Sequence, residues 1–246
     1  MQGCPILNRR STKRYVDSLL IQPMPTTDGR AHMLVPSLRE LFDRASGADT
    51  RRVDVQETIY ASGEVDDFLY LIESGQVKVS MASAGGKDCL IAVYRTGDLF
   101  GESCLTGATK RFETATAMQP TVMRRVSRRD FVAEVEKSKA AEAIMQHLAT
   151  RMVERQWAVF DLATLGSEQR LAKILLDVAE RLGVPEGQYL RLDQKISHEE
   201  LSQMVGTTRP RITAFMQKFR GLGIIETAGR AISVHKQRTR EYIEKD

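Results

Sequence analysis

Between Gly206 and Phe219 the chain reads GTTRPRITAFMQKF, which sets two guanidinium groups, Arg209 and Arg211, on either side of a proline. A guanidinium is a planar fork of donors that fits the O6/N7 edge of guanine or a pair of phosphate oxygens. Thr207, Thr208 and Thr213 on the same stretch, with Ser197 and His198 just before it, carry small polar groups suited to phosphate oxygens. Lys218 lies further along, and Arg230 falls beside Ala228-Gly229. These nine residues are the candidates for contact with a polyanion, and with double-stranded DNA in particular.

Such side chains need a rigid mount, and the surrounding pattern supplies one. Ser197 followed three residues later by Glu200 has the form of a capping box. Leu201, Met204 and Val205 give that helix an apolar face, and Gly206 ends it. Thr208 stands where it can cap a second helix, with Pro210 tolerated in the first turn. Ile212, Phe215, Met216 and Phe219 recur at three and four, so they face a core while the arginines stay outside. After Gly223, IIETAGRAISVH reads as two strands around Ala228-Gly229. Two helices joined by a tight turn and followed by a hairpin make a winged helix-turn-helix.

Charge agrees with that placement. From Lys195 onward there are ten Lys/Arg against six Asp/Glu, and this surplus equals the whole net charge of +4. A local cationic patch suits a polyanion; a plain basic tail through Lys236, Arg238 and Arg240 is the alternative reading.

Upstream, residues 1–37 are polar and interrupted by prolines, an N-terminal extension with no signal-peptide pattern. Residues 38–128 carry short β-branched and aromatic runs split by Gly, Asp and Ser. Their spacing predicts antiparallel strands closed into a roll. Residues 129–165 lose glycine, and Met145, Leu148, Met152, Arg155, Val159 and Leu162 advance by three and four like a coiled-coil seam. A long helix pairing with a second copy is expected there. Gly166 is the expected hinge to the last domain, 166–246. The predicted class is therefore α+β: a roll, a dimerisation helix and a winged helix.

Several functions are excluded on composition. No apolar run approaches the ~20 residues of a spanning helix. Three dispersed cysteines, Cys4, Cys89 and Cys104, fit neither a disulfide framework nor an iron–sulfur cluster, and suggest a reducing cytoplasm. The roll region 51–126 contains no histidine, which argues against a metal enzyme or haem there.

The stretch SHEELSQMVGTTRPRITAFMQKFRGLGIIE resembles the winged helix of the cyclic-AMP-receptor/fumarate-nitrate-reductase (Crp/Fnr) superfamily of transcription regulators. IYASGEVDDFLYLIESGQVKVSM and GDLFGES resemble that superfamily's cyclic-nucleotide-binding jelly roll. The resemblance implies a homodimer on a near-palindromic operator, acting with RNA polymerase, in which a nucleotide or other small effector reorients the heads. It places Gly101, Glu102 and Ser103 in the phosphate-binding turn, with Glu102 as ribose acceptor. Aligning on Ala115-Thr116-Ala117 puts Thr114 at the family's Ser/Thr place and Glu113 at its phosphate-binding arginine, a reversal of charge. Arg111 is expected on the same face as Glu113, as a partner for it, and Arg155 is expected either to enter the pocket or to stay solvated on the seam. Cyclic AMP is thus not the expected effector. A constitutive regulator, or a winged-helix protein of chromosome architecture or replication, is the alternative.

Overall fold

The computed structural model describes residues 35–83, 88–193, 196–229 and 231–245. The basic N-terminal segment and Arg230 lie outside the described residues. Helix α1 (Val35–Arg44) precedes eight strands: β1 (Asp49–Val53), β2 (Thr58–Tyr60), β3 (Phe68–Ser74), β4 (Gln76–Ala82), β5 (Asp88–Arg95), β6 (Leu99–Phe100), β7 (Thr114–Ala117) and β8 (Thr121–Ser127). They form two antiparallel sheets in the orders β1-β8-β3-β6 and β2-β7-β4-β5. A short 3-10 turn, Glu102–Thr106, follows β6.

Strand β3 shows why its run FLYLIES is apolar throughout rather than alternating. Tyr70 and Ile72 point into the roll with Val77, Phe100 and Met123. Leu69 and Leu71 point outward, where Phe42 of α1 and Phe131 cover them. Both faces are buried, so both need apolar residues.

The helical stretch expected over 129–165 is two helices, α2 (Arg128–Ser138) and α3 (Ala141–Thr164). The break comes at Lys139, which takes the left-handed conformation (φ 57°) while Ser138 Oγ donates back to the Glu134 carbonyl. The reason is packing. Helix α2 must seat Phe131 against Phe42, 5.8 Å between ring centroids, whereas α3 must run along a different line past the roll. Helix α3 buries none of its 24 residues fully.

The C-terminal domain comprises α4 (Ser167–Leu182), β9 (Val184–Glu186), β10 (Tyr189–Leu192), α5 (His198–Val205), α6 (Arg209–Gly221), β11 (Ile225–Ala228), β12 (Ala231–His235) and α7 (Lys236–Ile243). The expected two-stranded wing is thus half of a four-stranded sheet, β11-β12-β10-β9. The stretch that the alternative reading made a plain basic tail is a helix whose Thr239 is fully buried.

The junction after α3 is pinned. Arg170 Nη1 donates to the carbonyls of Leu162 (3.1 Å) and Leu165 (2.7 Å), and its Nε to that of Val205 (3.0 Å). Gly166 sits in extended backbone open to any residue, so the bend owes more to Arg170 than to glycine. Across it, Lys173 Nζ lies 3.7 Å from Asp161 and 3.6 Å from Asp177. Burial raises the Asp161 carboxyl, and burial with Asp161 and Glu180 nearby pushes Asp177 up to about 6. A carboxyl raised by folding stabilises below its unfolded value near 4 and loses that contribution as pH rises through about 6. Asp177→Asn is therefore expected to raise Tm at pH 7.5 by roughly 1–3 °C, small because the side chain is a third exposed. The gain should vanish by pH 4 in paired thermal melts.

Candidate nucleic-acid interface and effector site

The helix-turn-helix is built as its residues require. Ser197 Oγ accepts from the Glu200 amide at 3.1 Å, and Glu200 Oε2 accepts from the Ser197 amide at 3.0 Å. Gly206 closes α5 in the left-handed region (φ 71°). Thr208 occupies the cap position of α6, but its hydroxyl makes no capping bond, a correction to the expected cap; Pro210 in the first turn has already removed one of the amides a cap would serve. Ile212, Met216 and Phe219 are buried against Leu171, Leu175 and Leu201. Arg209 and Arg211 are exposed.

The nine candidates divide. Ser197 is occupied by its capping box. His198 Nδ1 lies 2.9 Å from Thr213 Oγ1, a bond between α5 and α6. Burial, then Arg220 and Arg209, hold His198 below its ordinary pKa. Lys218 Nζ pairs with Glu168 at 2.7 Å. These four brace the motif. Thr208, Arg209 and Arg211 face solvent, with Thr207 half-buried beside them. Arg211 stands over the Phe215 ring and lines an open cleft of about 480 Å³ shared with Ser167 and Tyr242. The candidates left open to solvent are therefore those at the α6 N-terminus, where backbone amides add donors of the same kind.

Inside the roll, Arg111 is 2% exposed and all five of its N–H donors are engaged. Nε and Nη2 donate to Asp66 Oδ1 (3.1 and 2.6 Å), and Nη2 also reaches the Phe68 carbonyl. Nη1 donates to the Gly101 carbonyl (2.7 Å) and Ser103 Oγ (2.8 Å). Gly101 is left-handed (φ 84°), and a Cβ there would come within 3.1 Å of Arg111 Nη2. The expected Arg111–Glu113 pair does not form. Asp66 takes the guanidinium, because Arg111 lies before β7 begins and escapes its alternation. Glu113 instead accepts from Ser103 Oγ at 2.7 Å and from the Tyr60 hydroxyl at 3.3 Å, both on Oε1. Thr114 Oγ1 accepts from the Ser62 amide.

Glu102 points to α3, 3.4 Å from His147 Nε2 and 3.7 Å from Arg151 Nε. Burial raises its carboxyl, but His147 and Arg151 together outweigh this, and the net is a pKa below its ordinary value. Arg151 also lies over the Tyr94 ring at 5.0 Å and pairs with Glu154 at 3.0 Å. Arg155, one turn further on, stays exposed, with Nη1 on the Ile91 carbonyl at 2.7 Å.

Known proteins resemble this chain in sequence and fold. Residues 50–138 match the family described as "Cyclic nucleotide-binding domain", and residues 169–238 the "Crp-like helix-turn-helix domain". The transcriptional regulator LdrP of Thermus thermophilus is 30% identical over 183 residues, 74% of this chain and 90% of that one. A Mycobacterium tuberculosis protein named "CRP-like cAMP-activated global transcriptional regulator" is 29% identical over 180 residues, 72% of this chain and 80% of that one. The chain belongs to the Crp/Fnr superfamily of transcription regulators. A solved CRP-family transcriptional regulator, also from Thermus thermophilus, superposes with a TM-score of 0.66 at 25% identity, covering 79% of this chain and 97% of that one.

In this Crp/Fnr chain the contacts between the roll and the C-terminal domain were not anticipated from sequence. Lys78 Nζ of β4 lies 3.0 Å from Glu200 Oε1. The carboxylate that caps α5 is thus shared with the roll. Arg181 Nη2 lies 3.4 Å from Asp98, and Arg95 Nη1 donates to the Arg181 carbonyl. Arg151 was also missed, although a signal existed: it precedes Arg155 by one turn and falls off the exposed stripe of 145, 148, 152, 155, 159 and 162. Asp66, 45 residues from Arg111, left none.

Proposed function

We propose that this chain is a homodimeric, sequence-specific DNA-binding regulator whose roll does not hold a cyclic phosphate in the superfamily's usual way. It pairs through the exposed stripe of α3 and presents two α6 N-termini to successive major grooves of a near-palindrome. Its place is the cytoplasm, and its output passes through RNA polymerase. The observation that carries the effector half is the commitment of every Arg111 donor to protein acceptors; beside it stands a carboxylate, Glu113, at the place the resemblance gives to the phosphate-binding cation. An added phosphate would meet Glu113 and Glu102 with no Arg111 donor free to answer. Cyclic AMP, which the mycobacterial relative's name gives as that protein's activator, is therefore expected to leave the thermal melt of this one unchanged.

The DNA half is tested by selecting operators from random duplexes and repeating the selection with Arg209→Ala. A bidentate arginine–guanine contact is worth about 1–3 kcal/mol. The substitution should weaken the selected site roughly 10–100-fold and relax one base pair per half-site. A uniform loss across all sequences would assign Arg209 to phosphate instead.

A further inference from the structure

Glu113 is 6% exposed, and its Oε2 atom has no hydrogen-bond partner while Oε1 has two. A buried carboxylate oxygen left without a donor is costly, and native interiors rarely keep one without use. Arg111 cannot supply the donor, since its five N–H groups are taken and Ser103 stands between the two residues. The surroundings are negative. Four carboxylates, Asp66, Glu102, Glu113 and Glu154, outnumber the three guanidinium groups near them, Arg111, Arg151 and Arg155.

Flat cations already lie on aromatic rings here. Arg111 lies 4.3 Å from the Tyr60 ring centroid and Arg151 5.0 Å from that of Tyr94. Tyr60, Tyr70, Tyr94 and Phe100 form one connected aromatic group, with Tyr70 and Phe100 stacked at 5.0 Å. Ring faces of this kind attract guanidinium-like groups, more so when water is excluded. Arg151 Nε, one of three other buried polar atoms without a hydrogen bond among the described residues, lies 3.7 Å from Glu102 Oε1.

We infer that the interior of the roll is a site for a small planar cation, an amidinium, guanidinium or protonated amino-heterocycle, whose N–H group takes the free Oε2 of Glu113. The site inverts the chemistry of a cyclic phosphodiester pocket: a carboxylate recognises a cation where a guanidinium would recognise an anion. Ser103 and Glu102 share the 3-10 turn between β6 and β7, so a ligand held by Glu113 also acts on the turn that touches His147 and Arg151 of α3. This rests on the reading of the roll as an effector domain.

Benzamidinium, benzamide and benzoate are matched in shape and differ in charge, so full-length protein melted with each of them, and with cyclic AMP, separates the cases. Benzamidinium at ten times its Kd should raise Tm by roughly 3–6 °C, and benzoate and cyclic AMP should not. Glu113→Gln should abolish the shift. Without ligand that variant should melt at or above the wild type, because it removes a buried charge but keeps Oε1 and its two donors. A shift with benzoate or cyclic AMP, no shift with benzamidinium, a shift that survives Glu113→Gln, or a variant several degrees less stable would each overturn the inference. Operator binding is measured on the same preparations. If it persists while benzamidinium does nothing, the cation site falls and the DNA-binding reading stands; if operator binding is absent, that reading falls whatever the melts give.

Discussion

Arg111→Ala is expected to lower the stability of the roll by about 3–5 kcal/mol, the usual result of removing one partner of a buried ionic network. In a chain of this size that corresponds to a fall in Tm of roughly 10 °C. Five hydrogen bonds end on this guanidinium, and they join three separate segments: Asp66 and Phe68 ahead of and within β3, Gly101 and Ser103 at the turn, and its own stretch before β7. Removal would leave the carbonyls of Phe68 and Gly101 without this donor and would strip Asp66 of its cation, although Asp66 keeps the Tyr70 hydroxyl at 2.7 Å and the Phe68 amide at 3.2 Å. Arg111→Lys should recover little. One ammonium carries three donors on a point charge and cannot reach a carboxylate, a hydroxyl and two carbonyls held in a fork. Chemical denaturation followed by tyrosine fluorescence would report the loss. A variant within 1 kcal/mol of wild type would show that the network is replaceable by water, and the case against an arginine-held phosphate would weaken with it.

How far such features are visible in sequence depends on the range over which they are encoded. The capping box of Ser197 and Glu200, the stop at Gly206 and the core face of Ile212, Met216 and Phe219 each depend on residues within one or two turns, and all could be read directly. The apolar runs of β3 and β4 were equally plain. The β9–β10 hairpin was not, because VPE and YLRL are too short to show a period, and the sheet exists only through β12, some 40 residues away. The break at Lys139 was hidden because nothing in SKAA forbids a helix; two different packing surfaces impose the change of direction. Ion pairs across the fold, Arg111 with Asp66 and Lys78 with Glu200, have no local signature. The charge reversal at Glu113 was legible, because it stands just before a short strand, Thr114–Ala117, whose residues align by pattern. Its unpartnered oxygen required coordinates.

Met152→Glu is expected to convert the dimer we propose into monomers and to reduce operator affinity by more than 100-fold. Along α3 the half-buried positions, among them His147, Arg151, Glu154, Trp157 and Asp161, turn toward the rest of the protomer. Opposite them Met145, Met152, Val159 and Leu162 are 63, 58, 66 and 60% exposed. An exposed stripe, apolar but for Arg155, on a 24-residue helix that buries none of its own residues has more surface to hide than one protomer covers. A twofold partner presenting the same stripe buries it on both sides, and coiled-coil spacing favours that match. Glutamate is nearly as good a helix former as methionine, so the substitution leaves α3 itself intact. Its effect comes from placing two carboxylates near the twofold axis in an apolar seam, where neither finds a cation except Arg155, already engaged with the Ile91 carbonyl. Each monomer would then hold a single half-site, and the gain from linking two weak contacts on one duplex disappears. Sedimentation at micromolar concentration and operator titration should fail together. A Met152→Glu protein that stays dimeric, with Leu162→Glu behaving alike, would move the interface off this stripe and leave its exposure without a purpose.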